Sequence, residues 1–181
     1  MSNVKIVNVV ATGYLGQELD LKYLATKMMN IIYNPEKFTA AILCLRNPKT
    51  TFLLFKSGRF VSTGAKSIEC AKKSSRIIAR KIQLLHEKPI RFLDFTIQNV
   101  VGTFFTPFKL NLETFYYSNI SNSLYEPEFF PGLKYLPSKF EKKTVLIFIS
   151  GKIVLTGFKN EKDKYDIASY LYRLFLKFKR E

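Results

Sequence analysis

The sequence predicts an α+β protein built from two copies of one structural unit, related by pseudo-two-fold symmetry. Residues 55–64 (FKSGRFVSTG) and 148–157 (FISGKIVLTG) are identical at six of ten positions. Two shorter matches precede them in the same order: residues 33–38 with 125–130, and residues 6–10 with 97–101. A period near 90 residues is too long for a solenoid repeat, so we expect a duplicated unit, residues 1–90 and 91–181.

The first copy reads as strand, helix, several strands, long helix. Apolar spacing predicts a strand over residues 4–12 and then a helix capped by Asp20, with Leu21, Leu24, Ala25, Met28 and Ile32 on its buried face. Three more strands are predicted over residues 38–45, 51–55 and 59–63, with Ser57-Gly58 as the turn before the last.

A long helix is expected to close each copy. In the first copy, Ser67 caps a helix that runs to about residue 86 and shows basic residues on its outer side. The second copy has a short aromatic helix near residues 112–119 and a closing helix from Asn160, where residues 160–163 resemble a capping box.

Charge indicates the class of ligand. Twenty-nine Lys and Arg against 14 Asp and Glu give a net charge of +15, which favours a polyanionic partner, nucleic acid first and an anionic membrane second. No apolar run approaches the roughly 18 residues that span a bilayer, and the first ten residues do not resemble a signal peptide. Two cysteines, Cys44 and Cys70, form no disulfide framework, which favours a reducing compartment.

Two central strands are apolar on both faces. Residues 51–55 (TFLLF) and 144–148 (TVLIF) lack the apolar and polar alternation of a sheet that has one wet face. Two helices per copy can cover one face only. The other face is therefore either buried by a second layer, such as a homodimer, or is itself a ligand site with basic residues at its margins.

On these residues the chain resembles the TATA-box-binding protein family over nearly its whole length. The motifs that carry the resemblance are Asn8-Val9-Val10, Leu19 to Lys22, Tyr33-Asn34-Pro35, Thr51 to Phe55 with Ser57-Gly58, Thr63 to Ser67, Asp94-Phe95 with Ile97-Gln98-Asn99, Tyr125 to Glu128, Phe130 to Leu133, and Ser150 to Gly157. The resemblance implies a saddle: a curved ten-stranded antiparallel sheet with four helices on its convex side. It also implies a general transcription initiation factor that binds the TATA element in the minor groove, kinks it and nucleates assembly of the preinitiation complex.

The resemblance assigns roles to residues that recur in both copies. Phe38 and Phe55, with Phe130 and Phe148, would be two pairs of wedges inserted between base steps. The minor-groove surface would consist of Asn8, Val10, Leu53, Val61, Thr63, Asn99, Val101, Leu146, Val154 and Thr156, with the asparagines and threonines meeting at its centre. Phosphate contacts would come from Arg46, Lys49, Ser57, Arg59, Lys66, Ser150, Lys152 and Lys159.

Protein partners follow from the same resemblance. Glu126, Glu128 and Phe129 match the segment that TFIIB binds, and Lys72, Lys73, Arg76 and Arg80 match the helix that meets TFIIA and repressors. TBP-associated factors, a nuclear location, and a homodimer through the concave face without DNA are expected too. The chain departs from the family at Cys44 and Leu136, where arginines are usual, at Phe158, and by one extra residue between positions 137 and 143.

Three other functions compete with this one. A paralogue could serve as a protein-interaction platform without TATA specificity, although such paralogues tend to lose wedge phenylalanines and all four remain here. A basic sheet that binds single-stranded RNA would stack bases on aromatic rings and tolerate sequence change. An enzyme is disfavoured because His86 is the single histidine and no catalytic or metal-ligand pattern occurs, so we expect no cofactor and no metal.

Overall fold

The computed structural model describes residues 4–160 and 163–180. The chain forms two compact units, one from residues 7–98 and the other from the described parts of residues 1–6 and 99–181. The strands are β1 (Lys5–Tyr14), β2 (Ile31–Ile32), β3 (Ala41–Leu45), β4 (Thr50–Leu54), β5 (Arg59–Ala65), β6 (Leu93–Phe105), β7 (Ser123–Leu124), β8 (Leu133–Tyr135), β9 (Thr144–Ile147) and β10 (Lys152–Phe158). The α-helices are α1 (Leu21–Lys27), α2 (Ile68–Gln83), α3 (Leu112–Ser118) and α4 (Asp163–Phe175), and 3-10 turns cover Ile120–Asn122 and Leu176–Phe178.

Each unit pairs its strands antiparallel in the same order. In the first unit the hydrogen-bonded order is β2-β3-β4-β5-β1, and in the second it is β6-β10-β9-β8-β7. The chain therefore repeats one topology, as the duplication in the sequence predicts. The predicted α+β class, with ten antiparallel strands and four α-helices in the described residues, is confirmed.

Each unit has its own core between helices and one face of the sheet. In the first unit, Leu24 of α1 and Ile82 of α2 pack with Phe52 of β4, and all three are at most 1% exposed. In the second unit, Phe115 of α3 contacts Phe175 of α4 with ring centroids 5.8 Å apart, and both side chains are buried. Burial of an aliphatic or aromatic side chain stabilises by about 1.5–3 kcal/mol, so these helices are held by their apolar faces.

The predicted helix starts are found. Asp20 caps α1 by accepting the N–H of Tyr23 at 2.9 Å, and Ser67 caps α2 by accepting the N–H of Cys70 at 3.0 Å. Asn160 accepts the N–H of Asp163 at 3.0 Å at the start of α4, while residues 161 and 162 of the predicted capping box lie outside the described residues.

The first helix is shorter than its apolar spacing predicts. It ends at Lys27, and Ile32 is not on its buried face but lies in β2, 71% exposed. The reason is long-range pairing: Asn30 accepts the N–H of Cys44 at 2.9 Å, which draws the chain into the ladder beside β3. The strand predicted from residue 38 likewise begins only at Ala41, because residues 34–38 form a turn.

Candidate nucleic-acid interface

One face of each sheet is left open by the helices. In β4, Phe52 and Leu54 are buried while Thr51 and Leu53 are half-buried, and β9 alternates in the same way. The second apolar row predicted from the sequence therefore lies on the side away from the core. Such an open, largely apolar row favours a ligand.

Cross-strand register aligns this outer row across each unit. Paired residues in an antiparallel ladder point to the same side of the sheet. The row of the first unit is Ile32, Ile42, Leu53, Val61 and Thr12, and the row of the second unit is Leu124, Lys134, Leu146, Val154 and Thr103. The predicted floor residues Val10 and Val101 are also half-buried, two positions after the asparagines of β1 and β6.

Equivalent turns hold the predicted wedge phenylalanines. The N–H of Phe38 donates to Asn34 O at 2.9 Å, and the N–H of Phe130 donates to Glu126 O at 3.0 Å. Both side chains are 43% exposed, a large exposure for phenylalanine. The two copies therefore place this ring at the end of an equivalent backbone turn and expose it to the same extent.

The second wedge of each copy precedes a tight turn. Phe55 N–H donates to Arg59 O, and Phe148 N–H donates to Lys152 O, each at 3.0 Å. Within the second unit the rings of Phe130 and Phe148 meet edge to face, with centroids 5.8 Å apart and planes at 69°. The structure thus brings this predicted pair together.

Gly132 makes the contact between these rings possible. A Cβ atom at this position would lie 2.7 Å from Cε1 of Phe130 and 2.9 Å from Cε1 of Phe148. The equivalent residue of the first copy is Ala40. Sequence comparison of the repeats exposes this difference, although the sequence analysis did not identify Gly132 as functional.

An asparagine, a threonine and a glycine form the same cluster in both units. In the second unit, Asn99 Oδ1 accepts the Gly157 N–H at 2.8 Å, and Asn99 Nδ2 donates to Thr156 Oγ1 at 3.0 Å. The predicted partners Asn99 and Thr156 are therefore in direct contact. The corresponding cluster of the first unit is Asn8, Thr63 and Gly64, with Asn8 Oδ1 accepting the Gly64 N–H at 2.7 Å and the Thr63 hydroxyl at 3.2 Å.

The glycine fixes which end of the amide faces it. A backbone N–H can only donate, so the atom of Asn8 or Asn99 that faces it must be the carbonyl oxygen. The NH₂ group then lies on the other side, and each amide has two N–H donors. Both glycines have φ +92°, a left-handed conformation that glycine adopts without strain.

The predicted phosphate-binding residues lie at the surface. Arg46, Lys49, Ser57, Arg59, Lys66, Ser150, Lys152 and Lys159 are all exposed. Arg59 and Lys152 occupy matching places after the β4–β5 and β9–β10 turns, and the Arg59 guanidinium lies 5.8 Å from the Tyr14 ring centroid. Exposed cations can neutralise phosphates and release the counterions condensed on DNA.

The predicted protein-binding residues are also accessible. Phe129 is 86% exposed, and Glu126 and Glu128 beside it are exposed. On α2, the exposed stripe consists of Lys72, Lys73, Arg76 and Arg80. The Arg76 guanidinium lies 6.0 Å from the Phe92 ring centroid, which limits its freedom.

Sequence reasoning missed polar residues next to the open row. Gln98 donates from Nε2 to Thr12 Oγ1 at 2.8 Å within the first unit. Thr12 and Thr103 end the two outer rows. Their β-branched side chains alternate with buried neighbours in the sequence, but only the register shows which face they occupy.

Within residues 4–160 and 163–180, no group of three His, Cys, Asp or Glu side chains could hold a metal ion. None of the described helices combines the length and apolarity required to cross a bilayer.

The fold and the open rows define an internally duplicated α+β binding protein. The chain belongs to the TATA-binding protein family, whose sequence model, "Transcription factor TFIID (or TATA-binding protein, TBP)", matches residues 3–85 and 94–178. This is a family of DNA-binding transcription factors and not of enzymes.

Similar proteins agree with this assignment. The chain is 45% identical over 173 residues to the TATA-box-binding protein of Dictyostelium discoideum, covering 96% of this chain and 83% of that protein. It is 46% identical over 173 residues to the TATA-box-binding protein of Saccharomyces cerevisiae, covering 96% and 71%. The solved structure of Methanococcus jannaschii TBP superposes with a TM-score of 0.83 at 34% identity, covering 97% of this chain and 99% of that one.

Proposed function

We propose that this protein is a general transcription initiation factor that binds the TATA element in the minor groove and kinks it with phenylalanine wedges. The observation that carries the proposal is the open outer row of each unit, in which a wedge phenylalanine, Phe55 or Phe148, comes two residues after the row residue Leu53 or Leu146. In this proposal the chain consists of the repeats 1–90 and 91–181, and each repeat binds one half of the element.

The wedges supply the bend. Phe38 and Phe55 of one repeat, and Phe130 and Phe148 of the other, enter base steps without leaving hydrogen bonds unmade, because a phenyl ring has no polar atom. Insertion unstacks the step and kinks the duplex toward the major groove, a mode for which this family is the established example. Bending then lets more of the outer row contact the groove.

The asparagines favour A·T pairs. In the minor groove, A·T and T·A both offer acceptors, adenine N3 and thymine O2, whereas G·C adds the guanine N2 donor. Because the glycine N–H groups hold the carbonyl oxygens of Asn8 and Asn99, their NH₂ groups can serve as donors to those acceptors. A guanine amino group would oppose a donor and would crowd the groove floor.

The remaining predicted residues complete the complex. The apolar residues Val10, Leu53, Val61, Val101, Leu146 and Val154 contact sugars and base edges, and Thr63 and Thr156 add hydroxyls. The exposed cations Arg46, Lys49, Arg59, Lys66, Lys152 and Lys159, with the hydroxyls of Ser57 and Ser150, bind phosphates.

Protein partners then assemble on the bound protein in the nucleus. TFIIB binds at Glu126, Glu128 and Phe129, while TFIIA and repressors bind the α2 stripe, and TBP-associated factors bind the complex. Without DNA, the open rows are expected to pair with those of a second copy, since exposed apolar surface favours association.

A bending assay tests the proposal. A TATA duplex labelled at both ends should show increased energy transfer with the wild type, and neither increased transfer nor tight binding with a Phe38/Phe55/Phe130/Phe148 quadruple alanine variant. Tyr117→Ala is the matched control, because this ring is 75% exposed and belongs to helix α3, not to the open face of the sheet. Normal bending by the quadruple variant would refute the wedge assignment, and equal affinity for a mutated TATA duplex would indicate a platform paralogue instead.

A further inference from the structure

The outer rows of the two units differ in charge at one pair of equivalent positions. Ile42 in β3 pairs with Leu53, and the equivalent residue in β8, Lys134, pairs with Leu146. The other nine residues of the two rows are uncharged. The second unit therefore carries a cation on the face that the proposed function turns toward DNA.

Lys134 stands among apolar residues on that face. Its cross-strand neighbours are Leu124 on one side and Leu146 on the other, and Leu136 comes two residues later, just beyond the end of β8. Lys134 is exposed, and within residues 4–160 and 163–180 no carboxylate lies within ion-pair distance of it. The described protein therefore offers this ammonium no counter-charge.

DNA binding on this face would change the environment of the ammonium. Burying an unpaired charge is unfavourable, so a lysine pressed against a groove wall without a partner would weaken the complex. The cost disappears if the ammonium reaches an anion. A lysine has a flexible four-carbon stem and three donors, which suits it to a phosphate beside an apolar contact.

We propose, on the basis of the function above, that Lys134 binds a DNA phosphate next to the Phe130–Phe148 wedge pair. The position favours a phosphate over a base edge, because β8 is the second strand from the end of the order β6-β10-β9-β8-β7. The row residues in β9 and β10, which are farther from that end, are the apolar Leu146 and Val154, and these contact the groove floor. The second repeat thus makes one phosphate contact at a position where the first repeat, with Ile42, makes none.

The test measures affinity for a TATA duplex against salt concentration for the wild type, Lys134→Ile, Lys134→Arg and Lys177→Ala. Isoleucine is the residue that the chain itself uses at the equivalent position 42, so the fold is expected to hold, and thermal melting checks it. Lys177 is an exposed lysine in the 3-10 turn Leu176–Phe178 and controls for loss of net charge.

Loss of one phosphate contact makes the negative slope of log K against log [salt] shallower by about 0.9. We expect that change for Lys134→Ile, no comparable change for Lys177→Ala, and a wild-type slope for Lys134→Arg. Between 50 and 200 mM salt, the wild type should lose about threefold more affinity than Lys134→Ile.

Two results would overturn the inference. An unchanged slope for Lys134→Ile would mean that the ammonium meets no phosphate, and tighter binding by Lys134→Ile would mean that the complex buries it unpaired. Either result requires wild-type binding to TATA. Absence of that binding would instead refute the proposed function.

Discussion

Asn99 Oδ1 accepts the backbone N–H of Gly157 at 2.8 Å, although 58 residues separate the two in sequence. The same bond joins Asn8 and Gly64 at 2.7 Å. A left-handed glycine thus sets the orientation of the side-chain amide that the proposed function aims at the minor groove. This relationship can be tested by substituting the asparagine or the glycine.

Asn99→Asp should distinguish the role of the amide oxygen from the role of the NH₂ group. The carboxylate can still accept the Gly157 N–H, but a negative oxygen replaces the NH₂ donor. We expect a retained fold and a loss of about 1–3 kcal/mol in binding to a TATA duplex, measured by fluorescence anisotropy. Asn111→Asp is the control, because Asn111 caps α3 by accepting the Thr114 N–H and aspartate caps a helix equally well. Equal losses in the two variants would show that added negative charge alone is responsible.

Gly64→Ala and Gly157→Ala should differ in stability. Both glycines have φ +92°, so alanine costs about 1–2 kcal/mol at either position. At Gly157 the new methyl group would also clash with Lys142 O, whereas at Gly64 the nearest atom, Lys49 O, lies 3.8 Å away. Urea unfolding should therefore give Gly157→Ala a free energy of unfolding that is lower than that of Gly64→Ala by about 1–3 kcal/mol. Equal free energies of unfolding would contradict this reading of the geometry.

Gly132→Ala should disturb the second wedge pair without unfolding the protein. The methyl group would lie 2.7 Å from Phe130 and 2.9 Å from Phe148, so the rings must move apart. Since Ala40 occupies the equivalent position of the first copy, the backbone itself tolerates alanine. We expect weaker bending of a TATA duplex by energy transfer, with a thermal midpoint close to that of the wild type. The reverse change, Ala40→Gly, is the control and should leave the bending by this pair unaltered.

Lys143→Met should lower stability through three lost contacts. The ammonium donates to Gly157 O at 2.8 Å, lies 4.8 Å from the Phe158 ring centroid and is 3.8 Å from Asp163 Oδ2. Its side chain is only 17% exposed, so we expect a loss of about 1–2 kcal/mol in the free energy of unfolding. Lys142→Met, at an exposed neighbour, should cost less. Equal unfolding midpoints for the two variants would show that the contacts of Lys143 contribute little.

Much of the fold could be predicted because the sequence contains two copies of the same structural unit. A phenylalanine that recurs before Ser-Gly in both copies, as Phe55 and Phe148 do, is difficult to explain by core packing alone. Local capping residues were equally informative, since Asp20 and Ser67 cap the helices that they predict. These features depend on residues that are near one another in the chain.

The end of α1 shows where such prediction fails. The helical spacing of apolar residues continues to Ile32, but the chain leaves the helix after Lys27. Pairing of Asn30 with Cys44 outweighs the local preference, because a backbone ladder to a distant strand satisfies the same N–H and C=O groups.

By itself the sequence determined the duplication, the order of elements and the types of residue at the wedges, turns and caps. The tertiary structure alone decided that Lys134 shares a face with Leu146, that Asn99 turns its oxygen to Gly157, and that Phe130 meets Phe148 over Gly132. The physical reason is range: propensity, capping and turn chemistry act over a few residues, whereas these three contacts arise from cross-strand register and close packing between distant segments.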